Sequence, residues 1–337
     1  MFTAAIIGCG NIAGGYDENL KAPGVYTHAG GFKKSGKVQI KAAADLNMER
    51  LQSFANYWDV DKIYPSYEEL NREGPYDIVS VCTPDRTHFE IISRLIENNA
   101  ARVIFAEKPL AMSFAEANQV IQSAESTGIK IILNNQRRWE PHHLKLRDSL
   151  RNGSIGIIQS VCAYYVKGLF HIGCTVVDTI RYLIDEVESV LALPSQNRGS
   201  LPDDPTIDCI LFLKNGAKAV MLGCDLFGQK YGIFELDIIG TEGRVRYTDE
   251  GHRFCFYEVE EYSHYPGFQE LVEKPEKETR TELNFAVYRV VEYIIGLLKT
   301  GDSDKTNAAH EGLRDILILE SIKDSVRRGF QLVEISE

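Results

Sequence analysis

The sequence predicts an α/β protein of two domains, a doubly wound parallel sheet followed by a second domain with a mostly antiparallel sheet. Three observations carry that expectation. Through residue 135, short apolar runs alternate with amphipathic helical stretches, the pattern of strands buried on both faces by crossover helices. Beyond Asn135 the runs lengthen and include Asn215-Gly216, a strong hairpin signal between two of them. At 337 residues the chain also exceeds what one ordinary core organises. The domains are expected at 1–135 and 136–337.

In the first domain the strands are expected at Thr3–Gly8, Val38–Ala44, Tyr76–Cys82, Ala101–Ala106 and Ile129–Leu133, each a near-continuous apolar run. The helices between them fall at Met48–Tyr57, Thr87–Asn98 and Phe114–Ser126, where apolar residues recur at helical spacing. In the second domain strands are expected at Ile157–Val166, Thr206–Leu213, Ala217–Cys224 and Ile233–Ile239. Helices follow near Val176–Ile184, Leu283–Leu298 and Leu313–Arg328, the last stopped by Gly329.

Charge and composition exclude several partners. A net charge of −11 argues against a nucleic-acid backbone or an anionic membrane. No run approaches the roughly 18 apolar residues of a membrane span. The N-terminus lacks the basic region and cleavage site of a signal peptide. The seven cysteines form no CxxC pair and read as buried free thiols in a reducing compartment. The expected location is the cytoplasm, and no metal site is expected.

The first chemical motif is Gly8-Cys9-Gly10-Asn11-Ile12-Ala13, directly after the first strand. In a βαβ context this GxGxxA is a dinucleotide-binding fingerprint. Gly8 permits the tight turn, Gly10 lets the backbone approach a pyrophosphate, and Ala13 allows close helix–strand packing. The helix that follows is expected to offer its N–H groups to the anion. Asp45, closing the second strand, is placed to accept the adenosine ribose hydroxyls, and could also cap the next helix. It lies 32 positions past Ala13, against roughly 20 in the usual fingerprint. The turn-rich stretch Asp17–Tyr26 accounts for the excess as an insertion. A carboxylate at Asp45 repels a 2′-phosphate, which favours NAD; nearby Arg50 leaves NADP open.

Several stretches together resemble the Gfo/Idh/MocA family of sugar and cyclitol oxidoreductases. They are GCGNIA, Cys82-Thr83-Pro84-Asp85 with His88, Glu107-Lys108-Pro109, Arg137-Arg138-Trp139, Gly153-Ser154-Ile155-Gly156 and Gly240-Thr241-Glu242-Gly243. The resemblance spans nearly the whole chain. It implies a Rossmann domain followed by an α/β domain with a large open sheet, and it extends the cofactor-binding set of Gly8, Gly10, Ala13 and Asp45 to Asn11, Ile12, Thr83, Pro84, Glu107 and His88, the last of which reads equally as a cap or packing residue at the start of its helix. It also implies that the sheet face is covered by another subunit, giving homodimers or homotetramers. The implied substrate is a small carbohydrate-type molecule.

Lys108 ends an apolar strand, where ligands bind in an open parallel sheet. The resemblance points its ammonium at the reacting carbinol, with Glu107 as counter-charge. There it can stabilise developing charge and share in proton transfer. The proton acceptor departs from the family pattern of an Asp, three residues and a His. Aligned on Gly173 and Asp178, the Asp position holds His171 and the His position holds Thr175. A threonine is no base near neutral pH, whereas histidine as a residue type titrates in that range. His171 either takes over the role or hydride transfer is slow or absent. Asp178 reads as a residue that ties its helix to backbone. Arg138 could hold a substrate phosphate or carboxylate. His142-His143 reads as a solvated helix start. Two classes remain: an NAD(P)-dependent oxidoreductase acting on CH–OH groups, or a dinucleotide-binding sensor or scaffold with lost or altered catalysis. NAD-assisted elimination or hydrolysis is a further enzymatic alternative.

Overall fold

A computed structural model describes residues 1–18, 23–195, 201, 203–224, 231–262, 264–301 and 308–336. Its first sheet comprises β1 (Phe2–Ile7), β2 (Val38–Ala44), β3 (Lys62–Tyr64), β4 (Tyr76–Val81), β5 (Ala101–Ala106) and β6 (Lys130–Leu133). Every pair is parallel and the order is β3-β2-β1-β4-β5-β6. The chain therefore reverses its winding between β1 and β4, which is where an open α/β sheet leaves its ligand crevice. β3 escapes the sequence reading because it is three residues long and has no fully buried side chain.

The helices of this part are α1 (Tyr16–Glu18), α2 (His28–Ser35), α3 (Met48–Trp58), α4 (Tyr67–Arg72), α5 (His88–Glu97) and α6 (Phe114–Thr127). Their starts are set by side-chain caps: Thr27, Asn47, Ser66 and Ser113 each accept an N–H three residues on. The cap of α3 is thus Asn47, not Asp45. One expectation is corrected near the glycine-rich turn. Asn11–Gly15 forms only a wide helical turn, α1 adds three residues, and a full helix begins at His28. Of the insertion Asp17–Tyr26, residues 19–22 lie outside the described ones and residues 23–26 are not helical.

The second sheet contains β7 (Ile158–Tyr165), β8 (Val187–Ala192), β9 (Cys209–Leu213), β10 (Lys218–Gly223), β11 (Phe234–Gly240), β12 (Gly243–Thr248), β13 (Arg253–Glu261), β14 (Gln269–Glu273), β15 (Thr279–Arg280) and β16 (Val333–Glu334). Its order is β14-β13-β12-β11-β7-β10-β9-β8-β16, with β15 on β13. Among the described residues, β7 with β10 is its one parallel strand pair. Asn215-Gly216 makes the β9–β10 hairpin, with Gly216 at φ 85°. The remaining helices are α7 (Pro141–Arg151), α8 (Cys174–Leu183), α9 (Ala286–Thr300) and α10 (Ala308–Arg327).

The compact units are discontinuous in sequence. The first holds residues 1–139 and 284–316, the second 140–283 and 317–337. The simple cut near 135 misses this return, and the reason is packing. Val287, Val290, Val291, Ile294, Ile295, Leu297 and Leu298 of α9 are buried in one cluster with Ile6, Phe32 and Phe105 of the first unit. Burying each such side chain is worth about 1.5–3 kcal/mol, so this face of α9 has a strong reason to dock there.

His143 corrects another expectation: it is fully buried rather than solvated. Its Nδ1 donates to Glu140 Oε2 at 2.7 Å, and its Nε2 lies 2.8 Å from the Tyr247 hydroxyl. The other Glu140 oxygen accepts from His142 Nδ1 at 2.7 Å and from the Glu282 N–H at 2.9 Å. Burial alone would raise the Glu140 carboxyl, but these donors outweigh it and hold it down at about 2. All seven cysteines are free, five buried and two half-buried.

Candidate active site

The carboxyl ends of β1, β2, β4 and β5 gather the residues singled out in the first unit. Gly8 follows β1 with φ 85°, and a Cβ there would stand 2.8 Å from the Cys82 carbonyl and 2.9 Å from Thr83 N. Only a glycine lets the turns after β1 and β4 approach this closely. Among the described residues nothing lies within 4 Å of where a Cβ of Gly10 would be, which leaves room there for a ligand to approach the backbone. Ala13 is fully buried, while Asn11 is exposed and Ile12 half-buried.

Asp45 reaches back to the same turn. Its Oδ2 accepts from Cys9 N at 2.8 Å and its Oδ1 from Asn47 N at 2.7 Å. Arg50 Nε stands 3.6 Å from the carboxylate. The glycine turn and the acid that follows β2 are thus one structure, and these residues fit an adenine dinucleotide. Burial pushes the thiols of Cys9 and Cys82 beside it far up, which disfavours their thiolates.

After β4 and β5 a second constellation forms. Thr83 and Lys108 are half-buried and Pro84 exposed, while Glu107 and Pro109 are buried. His88 is fully buried, with Nδ1 2.6 Å from the Pro109 carbonyl oxygen and Nε2 2.9 Å from that of Thr83. It ties the two turns together. Glu107 accepts from His28 Nε2 at 3.1 Å and from Asn134 Nδ2 at 2.6 Å. His28 Nδ1 lies 3.0 Å from Ser80 Oγ, and its ring stacks on Phe105 at 3.9 Å. Burial would raise the Glu107 carboxyl, yet the His28 and Asn134 donors and the Lys108 charge keep it below the ordinary carboxylate value. Lys108 therefore springs from a turn anchored on both sides. His28, Ser80 and Asn134 were not foreseen. The insertion separates His28 from the fingerprint, and its neighbours in space are distant in sequence.

Arg138 donates to Glu311 at 3.1 Å. In the second unit, His171 lies in a wide turn over Gly168–Gly173, and Thr175 one turn further on at the start of α8. Both are half-buried while Gly173, Cys174, Val176 and Val177 are buried, so they share the accessible face. Asp178 is buried at 2% exposure. Asp204, which sequence reading passed over, accepts the backbone N–H groups of Phe170 and His171.

A six-stranded sheet in this order, with this glycine turn and this acid, defines an NAD-binding Rossmann domain. Residues 2–135 match the model of the Gfo/Idh/MocA oxidoreductases described as "Oxidoreductase family, NAD-binding Rossmann fold". The chain is 26% identical over 269 residues to myo-inositol 2-dehydrogenase of Thermotoga maritima, covering 70% of this chain and 79% of that protein. It is 20% identical over 265 residues to D-apiose dehydrogenase of Paraburkholderia graminis, covering 73% and 67%. A levoglucosan dehydrogenase solved with NADH and levoglucosan superposes with a TM-score of 0.78 over 100% of both chains at 17% identity, a likeness of fold.

Proposed function

We propose that this chain is an NAD-dependent dehydrogenase or ketoreductase acting on a secondary alcohol or ketone of a sugar, sugar nucleotide or cyclitol. The observation that carries the reading is Lys108, a half-buried ammonium beyond β5 whose turn is held by Glu107 and His88. Bound NAD would supply the hydride acceptor. Lys108 donates to the substrate oxygen and stabilises the charge that develops there. His171 removes the hydroxyl proton in oxidation and returns it in reduction. Thr175, on the same face, orients substrate through its hydroxyl. Arg138, with Glu311 as partner, contacts a substrate phosphate or carboxylate when one is present. Asn11, Ile12, Thr83 and Pro84 line the dinucleotide with the glycine turn, and Asp45 selects NAD over NADP.

The named relatives act on myo-inositol and D-apiose, which supports a polyol substrate. Thr175 favours a second reading, a dinucleotide-binding protein without turnover. The two are separated by following NAD reduction with myo-inositol, D-apiose, levoglucosan and a set of sugar nucleotides. Turnover with one of them supports the dehydrogenase; tight NADH binding with no turnover on any supports the binding protein.

The second sheet is the proposed subunit interface. Its register places Leu191, Ile210, Val220 and Cys162 in one row across the face away from the core, with Phe212, Leu222 and Tyr164 beside them. All seven are half-buried, an apolar surface that a second copy of the chain would cover.

A further inference from the structure

The turn that carries His171 finds its backbone partners in one short stretch. Residues 168–173 lead into α8, so their first N–H groups lack acceptors within the turn. Gly168 N donates to Thr206 Oγ1 at 3.1 Å and Leu169 N to the Pro205 carbonyl at 3.2 Å. Phe170 N donates to both Asp204 oxygens, at 2.9 and 3.0 Å, and His171 N donates to Asp204 Oδ2 at 2.8 Å. Asp204-Pro205-Thr206 thus accepts four successive N–H groups.

The clamp is tight and is fixed to the sheet. Asp204 is 8% exposed, so its carboxylate is stabilised by these charge-assisted bonds rather than by water. Gly168 has φ 83°, and a Cβ on it would stand 2.2 Å from Asp204 Oδ2. Tyr165, the buried last residue of β7, donates its hydroxyl to the Ile207 carbonyl at 2.7 Å and accepts from Ile207 N at 2.9 Å. The strand holds the 204–207 stretch, and that stretch holds the backbone of His171. Only the side-chain torsions of His171 remain to place its imidazole, which is the preorganisation a proton acceptor needs.

We infer that Asp204 is a positioning residue, acting through His171 to hold the imidazole where it meets the substrate hydroxyl. The inference rests on the reading of His171 as proton acceptor. Asparagine at 204 keeps the shape but offers one acceptor oxygen and no charge. In Asp204→Asn, hydrogen exchange at the Phe170 and His171 amides should quicken at least tenfold. On the best substrate of the panel, kcat should fall at least tenfold with NADH affinity within twofold of wild type. In a His171→Ala background the same change should cost less than twofold more. Gly168→Ala, which displaces the same carboxylate, should reproduce both effects and serves if Asp204→Asn does not fold. Unchanged amide protection overturns the clamp, and a full tenfold loss persisting without His171 overturns its action through that residue. A wild type that turns over no substrate discards the functional reading and the positioning role with it, while exchange still reports on the clamp.

Discussion

Asp45, the residue proposed to take the adenosine ribose, is held in place by Cys9 N and Asn47 N, each donating to one of its oxygens. A carboxylate fixed this way favours a ribose bearing two hydroxyls and disfavours a 2′-phosphate. Replacing Asp45 with alanine should weaken NADH binding by about 1.5–3 kcal/mol, the range for a hydrogen bond to a charged group. It should also narrow the gap to NADPH. Calorimetric titration of both cofactors checks this, and equal affinities in the wild type would remove Asp45 from the recognition of the ribose. His171 is tested at the same scale. Its alanine variant should lose roughly 10²–10⁴-fold in turnover with NADH affinity intact, measured as the initial rate on the best substrate. Restoring the family pattern with Thr175→His should add little if His171 already does the work.

Glu140 stands where the chain passes between units, and its carboxylate joins the start of α7 to the backbone of Glu282. Its folded value of about 2 lies below the ordinary 4.5. The stability it contributes is therefore complete above about pH 4.5 and is lost as pH falls from there towards 2. Glu140→Gln should lower the denaturant midpoint at pH 7 and flatten its decline between pH 4.5 and 2; an unchanged acid slope would deny the network this role. Helix α9 makes a second prediction. Ile294→Ala should cost about 2–5 kcal/mol in chemical unfolding, as large-to-small changes in a packed core do. These elements also mark what the sequence shows and hides. Strands β1, β2, β4, β5 and β6 were legible because each is a buried apolar run, and Lys108 because it breaks one. The docking of α9 on the first unit was not legible, since an apolar helical stripe does not say which core it joins. His143 was misread because the histidine pair looked polar, while Glu140 three residues earlier was its partner. His28 and Asp204 act through partners tens of residues away, which no local pattern reveals.

At the scale of the whole molecule, the first sheet carries the NAD-binding turn and the second carries the face proposed as the subunit interface. The apolar half of the second sheet's outer face gives way across β11, β12 and β13 to Glu235, Asp237, Arg244, Arg246 and Arg253. A second copy should cover the apolar half, so light scattering should find a dimer or tetramer of the 37.9 kDa chain. Ile210→Glu on that face should shift it towards monomer, and a wild-type monomer at micromolar concentration would contradict the interface. Lys108 is tested most directly by comparing turnover with cofactor binding in Lys108→Ala. One well-placed donor to a developing charge is worth roughly 3–4 kcal/mol, so kcat should fall by about 10²–10³-fold while the NADH dissociation constant stays within twofold. A Lys108→Ala enzyme that turns over at the wild-type rate would contradict the account.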